Sequence, residues 1–194
     1  ALERGLEAAV RREAADRLAI AERLGHDMLY VTPSPSSASL RPRPVPPIPP
    51  ADPDDPVGTI RASVEAREAA APAASDEALL IYAALREEMD RRGVRYPILA
   101  PAYGHGVWTN TALMQTMVLD PDLARRHFAL ATRDCAAAAR RYAAGGVELI
   151  GVGGDFAGNR GPLVSPACYR SLIAPELREL SDEADREADA IAQA

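Results

Sequence analysis

Apolar residues recur near the start of the chain at Leu6, Val10, Ala14, Leu18, Ile20 and Leu24, separated by arginine and glutamate. This mostly three-to-four spacing predicts an amphipathic helix over residues 2–24 that stops near Gly25. A short strand from Met28 to Val31 follows Asp27. Helical patterning resumes at Ser75, a suitable N-cap, and runs to Arg92, with Gly93 as the stop and Tyr96 to Ala100 as the next strand. Thr109 to Leu119 predicts another helix. Asp120-Pro121 opens a longer one through Leu123, Phe128, Leu130 and Cys135 to Ala144, ended by Gly145. Val147, Leu149, Ile150 and Val152 then form an apolar run bounded by glycines, the pattern of a strand buried on both faces of a parallel sheet. Ser165 before Pro166 reads as an N-cap with proline at the first helical position, opening a helix through Leu172. The Glu-, Asp- and Ala-rich stretch 176–191 fits either a solvated terminal face or a partner helix.

Residues 33–56 interrupt this pattern. They hold 10 of the 17 prolines, so neither a helix nor a central strand is expected there, and the reading is a long loop or lid. Strands alternating with helices predict parallel pairing with right-handed crossovers, an α/β fold. About three strands are legible, whereas an eight-stranded (β/α)8 barrel typically takes ~250 residues. The expectation is therefore one domain over residues 1–194, an incomplete TIM barrel or a smaller open sheet.

Composition narrows the chemistry. With 47% hydrophobic and 26% charged residues the chain is an ordinary soluble globular sequence, not a disordered one. A net charge of −6 and the absence of a dense basic cluster argue against nucleic acid or an anionic membrane as partner. All 22 basic residues are arginine, which excludes Schiff-base, pyridoxal phosphate and P-loop lysine chemistry within this chain. Cys135 and Cys168 stand at unrelated positions, so a disulfide framework is not expected and a reducing cytoplasm is the expected location. No apolar run reaches membrane-spanning length and no signal-peptide pattern opens the sequence, which begins with Ala.

Asp155 is the leading candidate for chemistry. It stands where the strand after Gly146 ends, and in α/β folds groups at the carboxyl ends of parallel strands face the ligand crevice. Glycines at 151, 153, 154, 158 and 161 allow sharp turns or close approach to a ligand. The alternative is that Asp155 ties down its own loop through local hydrogen bonds. His105, in a Gly-His-Gly loop after a strand, either faces the cleft or is an ordinary loop histidine. His127, beside Phe128 in mid-helix, reads as packed or half-exposed. The histidines and cysteines show no His-x-Cys or Cys-x-x-Cys spacing, so no metal site is assigned.

The segment ELIGVGGDFAGNRGPLVSPACYRSLIAP, with its strand, acid, glycine turn and Ser-Pro-x-x-Tyr helix start, resembles the uroporphyrinogen decarboxylase superfamily, which includes corrinoid-dependent methyltransferases. LAIAERLGHDMLYV and YPILAPAYGHGVWTNTALM followed by LDPDLARRHFALATRDC are similar to further family segments, so the likeness spans most of the chain. The resemblance implies a (β/α)8 barrel. For the decarboxylases it implies a cofactor-free reaction on the carboxylate arms of a tetrapyrrole, as in porphyrin biosynthesis, with Asp27 in the place of the acid that holds the pyrrole nitrogens. By the same resemblance Asp155 lines the cleft, with Tyr103, His105, Trp108 and Ser165 as substrate-binding residues. Asp27 has a local reading too, as an acid that caps or turns the helix–strand junction. Two departures stand out: the family's amino-terminal arginine motif is not found, and Leu113 occupies the place of a family tyrosine. The methyltransferase branch implies zinc, a corrinoid and a corrinoid-protein partner, but its His-x-Cys and distant Cys ligands have no counterpart in this sequence. A third expectation is a non-catalytic binding or assembly module, a homo-oligomer built through unpaired strand edges.

Overall fold

The computed structural model describes residues 2–34, 52, 54–69, 76–108 and 110–192. In chain order the elements are α1 (Leu2–Leu24), β1 (Leu29–Tyr30), α2 (Pro56–Ala69), a 3-10 turn (Asp76–Leu79), α3 (Leu80–Arg92), β2 (Ile98–Tyr103), α4 (Thr111–Leu119) and α5 (Pro121–Ala144). They continue with β3 (Leu149–Gly153), β4 (Ala157–Gly158), β5 (Gly161–Pro162), α6 (Pro166–Cys168), a π turn (Tyr169–Ile173) and α7 (Ala174–Ala192). The fold is α/β, with β1, β2 and β3 forming a parallel sheet in that order. Most of the proline-rich loop 33–56, the Ser75 cap and Thr109 lie outside the described residues. Among the described residues no helix is long and apolar enough to cross a membrane.

The chain divides into two compact units, each assembled from separate segments of the sequence. The first comprises Ala1–Val45, Ala74–Pro101 and Arg141–Gly151. Here α1 buries Leu6, Val10, Ala14, Leu18 and Ala21, one residue per turn, and packs against α3. The facing side of α3 supplies Ile81, Tyr82, Leu85 and Met89. Arg92 pins the pair together, bonding Glu22 at 2.8 Å and the Ala15 carbonyl at 3.1 Å. Arg91 and Arg92 both clasp Glu88 and hold its carboxyl down at about 2. Helix α3 ends where expected, at Gly93 in the left-handed region (φ 68°), where the Val94 N–H reaches back to the Met89 carbonyl. Strand β1 runs parallel to β2 with Leu29 opposite Ile98 and Tyr30 opposite Leu99. The Tyr82 hydroxyl donates to the Val31 carbonyl at 3.1 Å and so ties α3 to the end of β1.

The second unit comprises Pro46–Ala73, Ala102–Arg140 and Val152–Ala194. Ile60 and Val64 of α2, Leu113 and Met117 of α4, Phe128 and Leu130 of α5, and Leu172 and Ile173 of the π turn build one core around Val107. Helix α2 falls outside the sequence expectation, which left residues 57–74 without an element. It starts by the same device as α5. Asp55 accepts the Gly58 N–H at 2.8 Å ahead of Pro56, as Asp120 accepts the Leu123 N–H at 3.0 Å ahead of Pro121.

One further expectation needs correcting. The run ending in β3 predicts a strand buried on both faces, yet Leu149 and Val152 are each 40% exposed. The reason is position: β3 is the last strand in the order, and among the described residues no strand lies beyond it to bring covering helices.

Candidate functional site

In the second unit the hydrogen-bonded ladder continues past the ends of β2 and β3. The His105 N–H donates to the Gly153 carbonyl and the Val107 N–H to the Asp155 carbonyl, both at 3.1 Å. Between these bonds Gly106 and Gly154 meet backbone to backbone. A Cβ on Gly154 would sit 2.4 Å from the Gly106 nitrogen, so that position has no room for a side chain, and one on Gly106 would crowd the Asp155 nitrogen at 3.0 Å. The result is a floor of bare peptide under a cleft of about 520 Å³. Tyr103, the last residue of β2, and Trp108 rise from the floor with about half of their surfaces open, and Val152 adds an apolar contact. Trp108 rests against Gly158 of the β4–β5 hairpin, where an added Cβ would lie 3.3 Å from its ring.

Asp155 completes the cleft. It is exposed, and among the described residues no hydrogen bond or ion pair engages its side chain; only its backbone joins the ladder. The loop-tying alternative requires a local side-chain bond that is not found here. An unpaired carboxylate beside two open aromatic faces and a polar peptide floor can accept N–H groups or balance a positive charge on a flat ring.

The sequence-derived site residues divide cleanly. Tyr103, Trp108 and Asp155 line the cleft together. Ser165 does not line it: its hydroxyl accepts the Cys168 N–H at 3.1 Å and caps α6, as its position before Pro166 predicts. Asp27 belongs to the first unit, exposed, two residues before the amino end of β1 and level by register with the residues leading into β2.

His105 also turns away from the cleft. Its ring is fully buried, stacks on Phe128 at 6.5 Å and places Nε2 2.9 Å from Thr132 Oγ1. Burial, reinforced by Arg67, lowers its pKa below the usual imidazole range. His127, half-buried and edge-on to Phe128, is lowered to about 4 by burial, with Arg67 and His105 adding to the effect. Burial raises the Cys135 thiol to about 11, which removes it as a ready nucleophile. Among the described residues no group of three or more His, Cys, Asp or Glu side chains could hold a metal ion.

No family model, curated protein or solved structure matches this chain. The likeness to the uroporphyrinogen decarboxylase superfamily thus rests on the motif residues themselves.

Sequence reasoning missed Thr132, which contacts His105, and Glu176, which contacts Thr132 from a half-buried position. Thr132 stands in an alanine-rich helix and Glu176 in an acidic one, and nothing local distinguishes either residue.

Proposed function

We propose that the cleft is the substrate site of a cofactor-free, uroporphyrinogen-decarboxylase-type enzyme whose parallel sheet derives from a (β/α)8 barrel. The observation that carries this reading is the unpaired Asp155 carboxylate set between Tyr103 and Trp108 over the Gly106–Gly154 floor. A tetrapyrrole-like ring would stack on the aromatic faces and give its N–H groups to Asp155. As the bond to a carboxylate arm breaks, its electron pair passes into the ring, carbon dioxide leaves and a proton takes its place on carbon. The ring is cationic when protonated for this step, and a fixed negative charge beside it lowers the barrier more than a nucleophile would.

Trp108 is the only tryptophan in the chain, so its fluorescence reports on the cleft directly. Titration with reduced uroporphyrinogen is expected to quench Trp108 emission, with carbon dioxide released on incubation. Asp155→Asn should weaken binding at least about tenfold, the scale of a lost charge-assisted hydrogen bond. No quenching by the intact protein would sink the decarboxylase reading. Demethylation of a methylated corrinoid by a thiol in the presence of the protein would favour the methyl-transfer branch instead.

A second reading, a self-associating module, is favoured by the exposed apolar edge of β3.

A further inference from the structure

One wall of the cleft is Gly104 and Gly106, which have no side chains with which to hold themselves in place. The residue between them, His105, supplies the anchor through its buried ring. Its Nε2 meets Thr132 Oγ1 at 2.9 Å, and that same oxygen lies 2.7 Å from Glu176 Oε2 and 3.2 Å from the Phe128 carbonyl oxygen. A hydroxyl carries one proton, and an ionised carboxylate and a carbonyl both only accept. The Thr132 proton must therefore go to one of them. The contact with His105 is then a hydrogen bond only if Nε2 brings its own proton and donates it to Oγ1.

We infer that Thr132 and Glu176 are positioning residues for the cleft: they lock His105 in its Nε2–H tautomer and, through it, fix the Gly104–Gly106 wall beneath the ligand. Burial keeps the ring neutral near neutral pH, the state in which one tautomer must be chosen. His105 Nδ1 is left as a lone pair, buried and without a partner among the described residues, which agrees with that choice. The same segment bonds β3 through the His105 N–H, so loosening the ring loosens the floor as well. The consequence for catalysis rests on the reading of the cleft as a substrate site, whereas the lock itself does not.

The test uses the full chain without ligand first. Nitrogen-15 spectra of histidine-labelled protein, assigned with His26→Gln and His127→Gln, should show His105 protonated at Nε2 and bare at Nδ1. Thr132→Val should mix the tautomers and speed hydrogen exchange of the His105 amide roughly fivefold, the scale of one lost buried hydrogen bond. The Val31 amide of the first unit should keep its protection, and Thr132→Ser should restore the wild-type behaviour. An Nδ1–H ring in the wild type, or an unchanged tautomer and exchange rate in Thr132→Val, would overturn the inference. Should Thr132→Val fail to fold, Glu176→Ala serves in its place. It leaves the Phe128 carbonyl as acceptor, so the tautomer should persist while the His105 amide exchanges faster, and unchanged exchange would remove Glu176 from the lock. A uroporphyrinogen titration then separates the two ideas. A locked His105 with no ligand binding defeats the enzyme reading alone, and binding indifferent to Thr132→Val defeats the coupling of lock to cleft.

Discussion

Gly154 carries the strictest requirement of any residue in the cleft. Its φ of 153° and the 2.4 Å at which an added Cβ would meet the Gly106 nitrogen both forbid a methyl group, and the obstacle is backbone that cannot swing aside. Gly154→Ala is expected to cost roughly 1–3 kcal/mol by overpacking, read from denaturant unfolding followed at Trp108. Gly5→Ala, in the open face of α1 with nothing within 4 Å of the added carbon, should gain about 0.5–1 kcal/mol instead. Equal effects of the two changes would show that the crossing is not tight. His127 makes the second residue-scale prediction. Its folded pKa of about 4 lies below the value near 6.5 of a free imidazole, so on acidification the unfolded chain takes up the proton first. The stability it contributes is complete above about pH 6.5, falls as pH drops towards 4 and levels off below, by about 3 kcal/mol. His127→Gln should flatten that slope in urea unfolding between pH 7.5 and 4, and an unchanged slope would move its origin elsewhere. At this scale the legible signal in the sequence was local. Asp155 and Trp108 follow strands and glycines, and both line the cleft. The sequence left the direction of His105 open between the cleft and an ordinary loop position, because that direction is set by a hydroxyl 27 positions away.

At the scale of elements, the clearest lesson comes from two helices that begin alike. Asp55-Pro56 and Asp120-Pro121 present the same cap and the same first-turn proline, yet only the second stands out in the sequence. The first is the end of a run of prolines, and α2 buries only Ile60 and Val64, so its apolar stripe is too thin to announce a helix. Helix α5 buries residues along most of its length and is unmistakable. The caps should nonetheless be worth similar amounts. Asp55→Ala and Asp120→Ala are each expected to cost about 1 kcal/mol, the first with faster exchange of the Gly58 amide and the second of the Leu123 amide. Asp120 also pairs with Arg61 at 2.9 Å, an exposed contact that adds little. If Asp55→Ala leaves Gly58 exchange unchanged, the cap is not what starts α2.

The molecule as a whole follows the alternation of strand and helix that the sequence shows, and its parallel sheet follows from that alternation. Burial is what a one-dimensional pattern could not supply. An apolar run such as Val147 to Val152 reads the same whether another strand lies beside it or not, because periodicity reports composition and not neighbours. Among the described residues β3 ends the sheet, and Leu149 stands 40% exposed on it, outside the cleft. A strand with one free row of N–H and C=O groups and an open apolar side chain is a template for pairing. The occupant we expect is a second copy of this chain, because an identical edge offers the same apolar side chain and the same unpaired peptide row in return. Light scattering should therefore show mass rising with concentration, and Leu149→Arg should hold the protein as a monomer by setting a charge on the edge. Because Leu149 is not part of the cleft, this variant should bind uroporphyrinogen as the parent chain does. Loss of self-association with ligand binding intact would make the edge incidental to the chemistry. A parent chain that stays monomeric at high concentration would leave β3 a closed edge in solution and remove the assembly reading.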